Sequence, residues 1–195
     1  MKVLLGAALA IGFAGAAAAQ APGPAPRGIA LPGDHAPMAG GGAGGPAGPP
    51  GPRPVDPPPA ANPSIDLALK AAQAIAAACK QYPMSLAVVD SEGVAKLVWV
   101  PDNSNAWHGY SAVRKAYTAV TFRSDTSKVI KQAATDPAVM DRFKADPNLT
   151  RQSGGLVLMV GDKVVGAIGV SGAEPGGHDE ECALVGRERI KNDLK

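Results

Sequence analysis

The sequence predicts an α+β fold for residues 64–195, with an antiparallel sheet and helices packed on it. Three observations support this prediction. Patterns typical of β-hairpins lie at residues 84–100 and 154–171, helical patterns lie before, between and after them, and the residues before 64 cannot form a core. The predicted order of elements is α-β-β-α-α-α-β-β-α.

The first 19 residues have the features of a secretory signal peptide. Lys2 is followed by an apolar stretch over residues 3–14, which is too short to span a bilayer, and "AAA" precedes Gln20 as in an A-x-A cleavage site. We therefore expect cleavage after residue 19 and a mature protein in the periplasm or outside the cell. No later stretch is apolar enough to predict a membrane span.

Residues 20–63 are predicted to be a disordered tether. Most of the 19 prolines of the chain lie here, and "GGGAGGPAGPPGPRPVDPPP" contains almost no large apolar residue. Such a segment buries too little surface to offset the entropy lost on ordering. It has no strict G-X-Y repeat, which argues against collagen.

The folded part begins with a predicted helix. Ser64 follows a proline and can cap the helix, Asp66 suits its first turn, and apolar residues recur at helical spacing to about Lys80. The runs "MSLAVVD" and "VAKLVWV" then predict the first hairpin, with Asp90 as a turn residue.

Three helices are predicted next. The stretch "WHGYSAVRKAYTAVTF" carries alanines on one face and can therefore lie close to a sheet. Ser124 or Asp125 can cap the second helix. Asp136 followed by Pro137 is typical of the start of the third.

The second hairpin consists of "GGLVLMV", a tight turn and "KVVGAIGVS". The second of these strands is apolar or small on both faces, which predicts a central strand covered by a helix. The glycines of this region, Gly166, Gly169 and Gly172, would let that helix approach closely. Asp179 is predicted to cap a final helix that ends near residue 193.

Charge and cysteine content narrow the function classes. Lys/Arg and Asp/Glu nearly balance and no basic stripe with aromatic residues is present, so nucleic acid is not an expected partner. Export would place Cys79 and Cys182 where a disulfide persists. The alternative is two buried small apolar residues, and the spacing does not decide between them.

Residues 64–195 resemble the GlcG/HbpS-like family. The resemblance is carried by "VDSEGVAKLVW", "KAYTAVTFRSDTS", "GDKVVGAIGVSG" and "DEECA". It implies a profilin-like domain with a five-stranded antiparallel sheet, so that a fifth strand is expected near residues 149–152. It also implies haem binding, often in a homo-oligomer, more than it implies a reaction. The loop "VPDNSNAW" departs from the family pattern, in which an Arg and a Gly are frequent.

If the resemblance extends to haem, His108 is the expected axial ligand, since imidazole is a common ligand of haem iron. Tyr110 would add an aromatic wall, and Arg114 and Lys115 would bind the propionates. The alternatives are a loop histidine beside a Trp107 that fills the core, and a Lys115 engaged in a structural ion pair.

His178 is a second candidate, either as another ligand or as a gate over the same pocket. The alternative is an exposed residue that precedes a helix cap. The acids at residues 179–181 could bind a metal with His178, but consecutive residues point in different directions around a helix, and they suit its N-terminal dipole.

These observations favour an exported haem-binding protein, used in haem or redox sensing or handling, over an enzyme. Catalytic motifs such as G-x-S-x-G, H-E-x-x-H and C-x-x-C are not found in the sequence. One alternative is an accessory protein or enzyme that acts on a small hydroxy- or keto-acid, gripped by Lys115 or Arg114. Another is a structural oligomer without a ligand.

Overall fold

A computed structural model describes residues 62–174 and 177–195 of the protein. The predicted signal peptide and nearly all of the predicted tether lie outside these residues. The described part contains five helices and four strands, in the predicted order. They are α1 (Ile65–Ala78), β1 (Ser85–Asp90), β2 (Ala95–Trp99), α2 (Ala106–Phe122), α3 (Thr126–Ala133), α4 (Pro137–Ala145), β3 (Gly155–Val160), β4 (Lys163–Ser171) and α5 (Asp179–Ile190).

The four strands form one antiparallel sheet in the order β2-β1-β4-β3, flanked by helices. Helix α2 packs on one face against β4, β1 and β3, while α1 and α5 pack together on the other. The larger core lies between the sheet and α1 and α5, and the smaller cores lie under α2. The predicted α+β class is therefore confirmed.

The fifth strand expected near residues 149–152 is not a strand in the described part of the chain. This segment runs along α2 instead, where the backbone N–H of Thr150 donates to Thr118 Oγ1 at 2.9 Å. A side chain of α2 thus takes the hydrogen bond that a neighbouring strand would otherwise supply. The expected sheet of four to five strands has four.

Helix starts follow the predicted capping residues in most places. Ser64 Oγ accepts from the N–H of Leu67, and Asp136 accepts from the N–H of Ala138. The Asp90 carboxylate accepts from two N–H groups of the hairpin turn, as its predicted role requires.

Residues at the start of α3 cover the outer edge of β3. Thr126 Oγ1 accepts from the N–H of Gly155 at 3.0 Å, and Asp125 Oδ1 accepts from the N–H of Val157 at 3.1 Å. Asp125 precedes α3 as predicted but makes no side-chain cap. Its carboxylate binds the backbone of β3 and the Arg187 guanidinium instead.

Cys79 at the end of α1 and Cys182 on α5 form a disulfide. Their α-carbons lie 6.1 Å apart although the two cysteines are 103 positions apart in sequence. Both residues are buried. The bond joins the two helices that cover the same face of the sheet, so the alternative of two unlinked cysteines is excluded.

Candidate ligand-binding site

His108 lies in the first turn of α2, which Asn105 caps by accepting from its backbone N–H. The imidazole is half-buried against Gly172, where an added β-carbon would lie 2.8 Å from its Cγ. Gly172 has φ +99°, so glycine is required there both for conformation and for space. Within residues 62–174 and 177–195, the ring nitrogens of His108 have no hydrogen-bond partner.

The aromatic residues beside His108 form an exposed surface. Trp107 is 61% exposed, so it does not fill the core as the alternative interpretation supposed. Tyr110 is half-buried, and its ring centroid lies 5.4 Å from that of Trp107. The start of α2 therefore combines an imidazole with aromatic side chains that are accessible to a ligand.

Arg114 is held by the polypeptide backbone. Its guanidinium donates to the carbonyl oxygens of Pro147 at 2.6 Å, Asn148 at 3.2 Å and Leu149 at 2.6 Å. It also lies 5.4 Å from the centroid of the Tyr110 ring. These contacts fix the segment that follows α4 against α2, and a propionate at Arg114 would compete with three backbone acceptors.

Lys115 is only 3% exposed, and its Nζ lies 2.6 Å from Asp179 Oδ2. This geometry is that of the structural ion pair considered as the alternative role of Lys115. Gly154 lies beside the pair, because a β-carbon there would be 2.7 Å from the Asp179 β-carbon. A buried pair of this kind satisfies both charges internally.

Asp179 is not the helix cap that the sequence predicted. His178 occupies the N-cap position and Asp179 is the first residue of α5. The second carboxylate oxygen of Asp179 accepts from the N–H of Ala173 at 2.8 Å. The prediction was wrong because the carboxylate serves α2 and the end of β4 rather than the N–H groups of its own helix.

His178 is 35% exposed and stacks on Tyr82, with ring centroids 5.3 Å apart. Its Nδ1 lies 2.7 Å from Glu181 Oε2. The neighbouring acids face different groups, since Ser127 Oγ donates to Glu180 and Lys115 to Asp179. No group of three metal-ligating side chains occurs among the residues that the structure describes.

Two further polar residues belong to this region and were not singled out from the sequence. Ser111 Oγ donates to Gln152 Oε1 at 3.0 Å. Ser111 lies three residues after His108 and four before Lys115, so the three side chains share one face of α2. This spacing was the available signal, but the alanines at neighbouring positions of the helix dominated the pattern.

The hollows on the described surface include two shallow ones that His108 does not line. One, of about 480 Å³, lies at the end of β2 and is lined by Val98, Trp99, Val100, Pro101 and Asp102. The other, of about 310 Å³, lies between α3 and α4. The first adjoins the start of α2, because a β-carbon on Gly109 would lie 2.7 Å from a Val100 methyl group.

The fold and this region define an α+β domain in which one helix presents a histidine and aromatic side chains at an end of the sheet. The chain belongs to the HbpS-like family, described as haem degrading protein HbpS-like, whose model matches residues 64–188. The resemblance to this family seen in the sequence is thereby confirmed.

Solved structures of similar fold include a double mutant of HbpS from Streptomyces reticuli. It is 30% identical over 73% of this chain and 96% of that chain, with a TM-score of 0.60. The Klebsiella pneumoniae protein ORFY is 20% identical over 65% and 89% of the two chains, with a TM-score of 0.58. A PduOC:heme complex is 20% identical over 67% and 93%, with a TM-score of 0.55.

Comparison with curated protein sequences gives no significant match. Within the described residues, no helix has both the length and the apolar character needed to cross a membrane.

Proposed function

We propose that the protein binds haem and that His108 would hold the haem iron. The observation that carries the proposal is that the half-buried His108 imidazole has no hydrogen-bond partner among the described residues. The ring lies beside Gly172, and the chain belongs to the HbpS-like family. A neutral imidazole nitrogen is a good ligand of haem iron. When bound, haem would supply redox chemistry and a strong visible chromophore.

The residues around His108 fit part of what haem requires. Trp107 and Tyr110 offer aromatic surface for the apolar macrocycle. His178 immediately precedes α5 and is partly exposed, so it remains a candidate second ligand or gate. Because Arg114 and Lys115 already bind groups of the protein, propionates would reach them only by displacing those contacts.

The same contacts weigh against the alternative of a small hydroxy- or keto-acid ligand. That hypothesis needs a cation free to grip a carboxylate, and it named Lys115 or Arg114. Lys115 is buried with Asp179, and Arg114 donates to three carbonyl oxygens. Haem binding does not depend on such a cation alone, because iron ligation and apolar contact also contribute to it.

We further propose that the protein acts in the periplasm or outside the cell, as the predicted signal peptide requires. The Cys79–Cys182 disulfide supports this location, because disulfides persist in oxidising compartments and are rare in the cytosol. A role in haem or redox sensing or handling would suit such a location.

A homo-oligomer is also proposed. Exposed apolar side chains on and just after β2 and at the start of α2 support it, since Val98 and Val100 are each 45% exposed and Trp107 is 61% exposed. Light scattering on the purified mature protein at several concentrations tests this proposal, and a monomer at every concentration would exclude it.

Titration of the mature protein with haemin, followed by absorption spectroscopy, tests the haem proposal. We expect a shifted Soret band with a saturating 1:1 stoichiometry, and a band at the position of free haemin would overturn the proposal. His108→Ala should move the band and lower the affinity by roughly tenfold or more.

His178→Ala is the companion variant, because it removes the other described histidine and tests the second candidate ligand. An unchanged spectrum in His108→Ala together with a changed one in His178→Ala would transfer the ligand role to His178. Recording the Soret band over hours with ascorbate and oxygen shows in addition whether bound haem is degraded.

A further inference from the structure

We infer that Asp179 is a positioning residue for His108, acting through its ion pair with Lys115 and its hydrogen bond from Ala173. The inference rests on the haem site proposed above and assigns a role in it to a buried charge pair. Asp179 touches neither His108 nor a ligand. Its carboxylate instead holds the residues that follow β4, where Gly172 lies against the imidazole.

The carboxylate of Asp179 joins two parts of the fold, helix α2 and the segment just after β4. Oδ2 lies 2.6 Å from Lys115 Nζ on α2, and Oδ1 accepts at 2.8 Å from the N–H of Ala173, just after β4. Asp179 is itself only 9% exposed. A charged group in this setting is costly to move, because either oxygen would lose its donor in a region shielded from water.

Gly172 immediately precedes Ala173 and lies against the His108 ring. A β-carbon there would be 2.8 Å from the His108 Cγ and 2.9 Å from the Pro83 carbonyl oxygen. The hydrogen bond from Ala173 to Asp179 therefore holds the neighbouring Gly172 in place. Gly172 in turn limits where the His108 ring can lie. Displacing Ala173 therefore moves Gly172, which packs against the imidazole and sets its orientation.

Lys115 adds a second link to His108 through α2. The two residues lie seven positions apart on the same helix, so their side chains share one face. Asp179 thus holds both α2, which carries His108, and the segment after β4, which packs against the His108 ring. Groups that orient a metal-binding histidine commonly affect metal affinity by about 10- to 100-fold.

The chain offers a matched control in Asp125, a second buried carboxylate with the same kinds of contact. Asp125 Oδ1 lies 3.0 Å from an Arg187 nitrogen and accepts from the N–H of Val157. It is 6% exposed and binds the outer edge of β3, whereas the Gly172 that packs against His108 follows β4. Asp125→Asn should therefore cost stability without disturbing His108.

The experiment compares Asp179→Asn with Asp125→Asn in the mature protein, using two readouts. The first is the NMR signal of the His108 ring in ligand-free protein, assigned with His108→Ala. We expect Asp179→Asn to shift it and Asp125→Asn to leave it unchanged. The second is haemin titration, in which Asp179→Asn should lower affinity roughly tenfold and move the Soret band, while Asp125→Asn should not.

Lys115→Met and the Lys115→Met/Asp179→Asn double variant test whether the two residues act as a unit. If they do, the double variant should change the His108 signal no more than the larger single change does. Should Asp179→Asn fail to fold, Asp179→Glu takes its place, because it retains the charge but displaces Ala173.

The outcomes separate the inference from the proposed function. An unchanged His108 signal in Asp179→Asn, or equal changes in Asp125→Asn, overturns the positioning role whether or not haemin binds. A shifted His108 signal in a protein that does not bind haemin upholds the positioning role and overturns the haem site instead.

Discussion

Gly169 of β4 lies directly against the backbone of Ala112 in α2. A β-carbon at Gly169 would be 2.0 Å from the Ala112 carbonyl oxygen and 2.7 Å from the Ala116 nitrogen. Because both neighbours are backbone atoms of one helix, no side-chain rotation could make room. This contact brings α2 close to the sheet and sets the depth at which His108 sits.

Gly169→Ala should destabilise the protein by about 3 kcal/mol or more, because the helix must move away from the sheet. Urea unfolding followed by circular dichroism measures the change. Gly109→Ala is the matched control, since its β-carbon would meet only the ends of the Val100 and Val98 side chains and alanine favours a helix. Equal stability of the two variants would contradict the close-contact argument.

Reduction of the Cys79–Cys182 disulfide should lower the free energy of unfolding by about 4–5 kcal/mol, since the bond closes a long loop in the unfolded chain. Thermal unfolding with and without a phosphine reductant measures this loss. The Cys79→Ala/Cys182→Ala variant should resemble the reduced protein and ignore the reductant. Identical midpoints for oxidised and reduced protein would show that the bond adds nothing.

Stability should fall between about pH 10 and pH 12 because of Tyr117. Burial, reinforced by the hydrogen bond that Tyr117 donates to Asp146, raises the pKa of its phenol from 10.0 to about 12. In this window the unfolded chain loses the proton and the folded protein keeps it, so a rising pH favours unfolding. The loss should amount to at most about 3 kcal/mol by pH 12.

Urea unfolding across this pH range measures the effect. Tyr117→Phe should be less stable than the wild type at pH 8 and should show a shallower decline above pH 10. Tyr82→Phe is the control and should follow the wild-type curve. A Tyr117→Phe curve parallel to that of the wild type would assign the alkaline decline to other groups.

Arg114→Lys should free the segment that follows α4, although it keeps the positive charge. Lysine cannot donate in the planar fork that reaches the carbonyl oxygens of Pro147, Asn148 and Leu149, so we expect a loss of about 1–3 kcal/mol. Hydrogen exchange at residues 147–150 should accelerate. Unchanged exchange with weakened haemin binding would instead support the predicted contact between Arg114 and a propionate.

Much of the fold could be predicted because local signals agreed with one another. Ser64 and Asp136 precede their helices as capping chemistry requires, and Asp90 supplies the turn of the first hairpin. Gly169 predicted a close helix, and α2 lies there. These features depend on residues near one another in sequence or on the space that one side chain needs.

The site was less predictable because its contacts join distant parts of the chain. Asp179 was predicted from the sequence as a helix cap, yet it lies in the first turn of α5 and binds Lys115, 64 positions earlier. Arg114 offered a free cation in sequence, but it binds carbonyl oxygens more than 30 positions away. A charged residue does not reveal its partner when the fold brings that partner from another element.

The prediction of a fifth strand was wrong for a related reason. Residues 149–152 lie along α2, where Thr118 accepts the hydrogen bond from the N–H of Thr150. Nothing in the short segment itself distinguishes a strand that pairs with a sheet from an extended chain held by helix side chains.

The Thr126 hydroxyl and the Asp125 carboxylate, which bind the edge of β3, limit where a further strand can join the sheet. They occupy the outward N–H groups of Gly155 and Val157, so an incoming strand finds no free donors there. At the opposite border, β2 pairs with β1 alone within the described residues. Growth of the sheet is therefore opposed at these two positions of β3, and the β2 border is the more open of the two to an added strand.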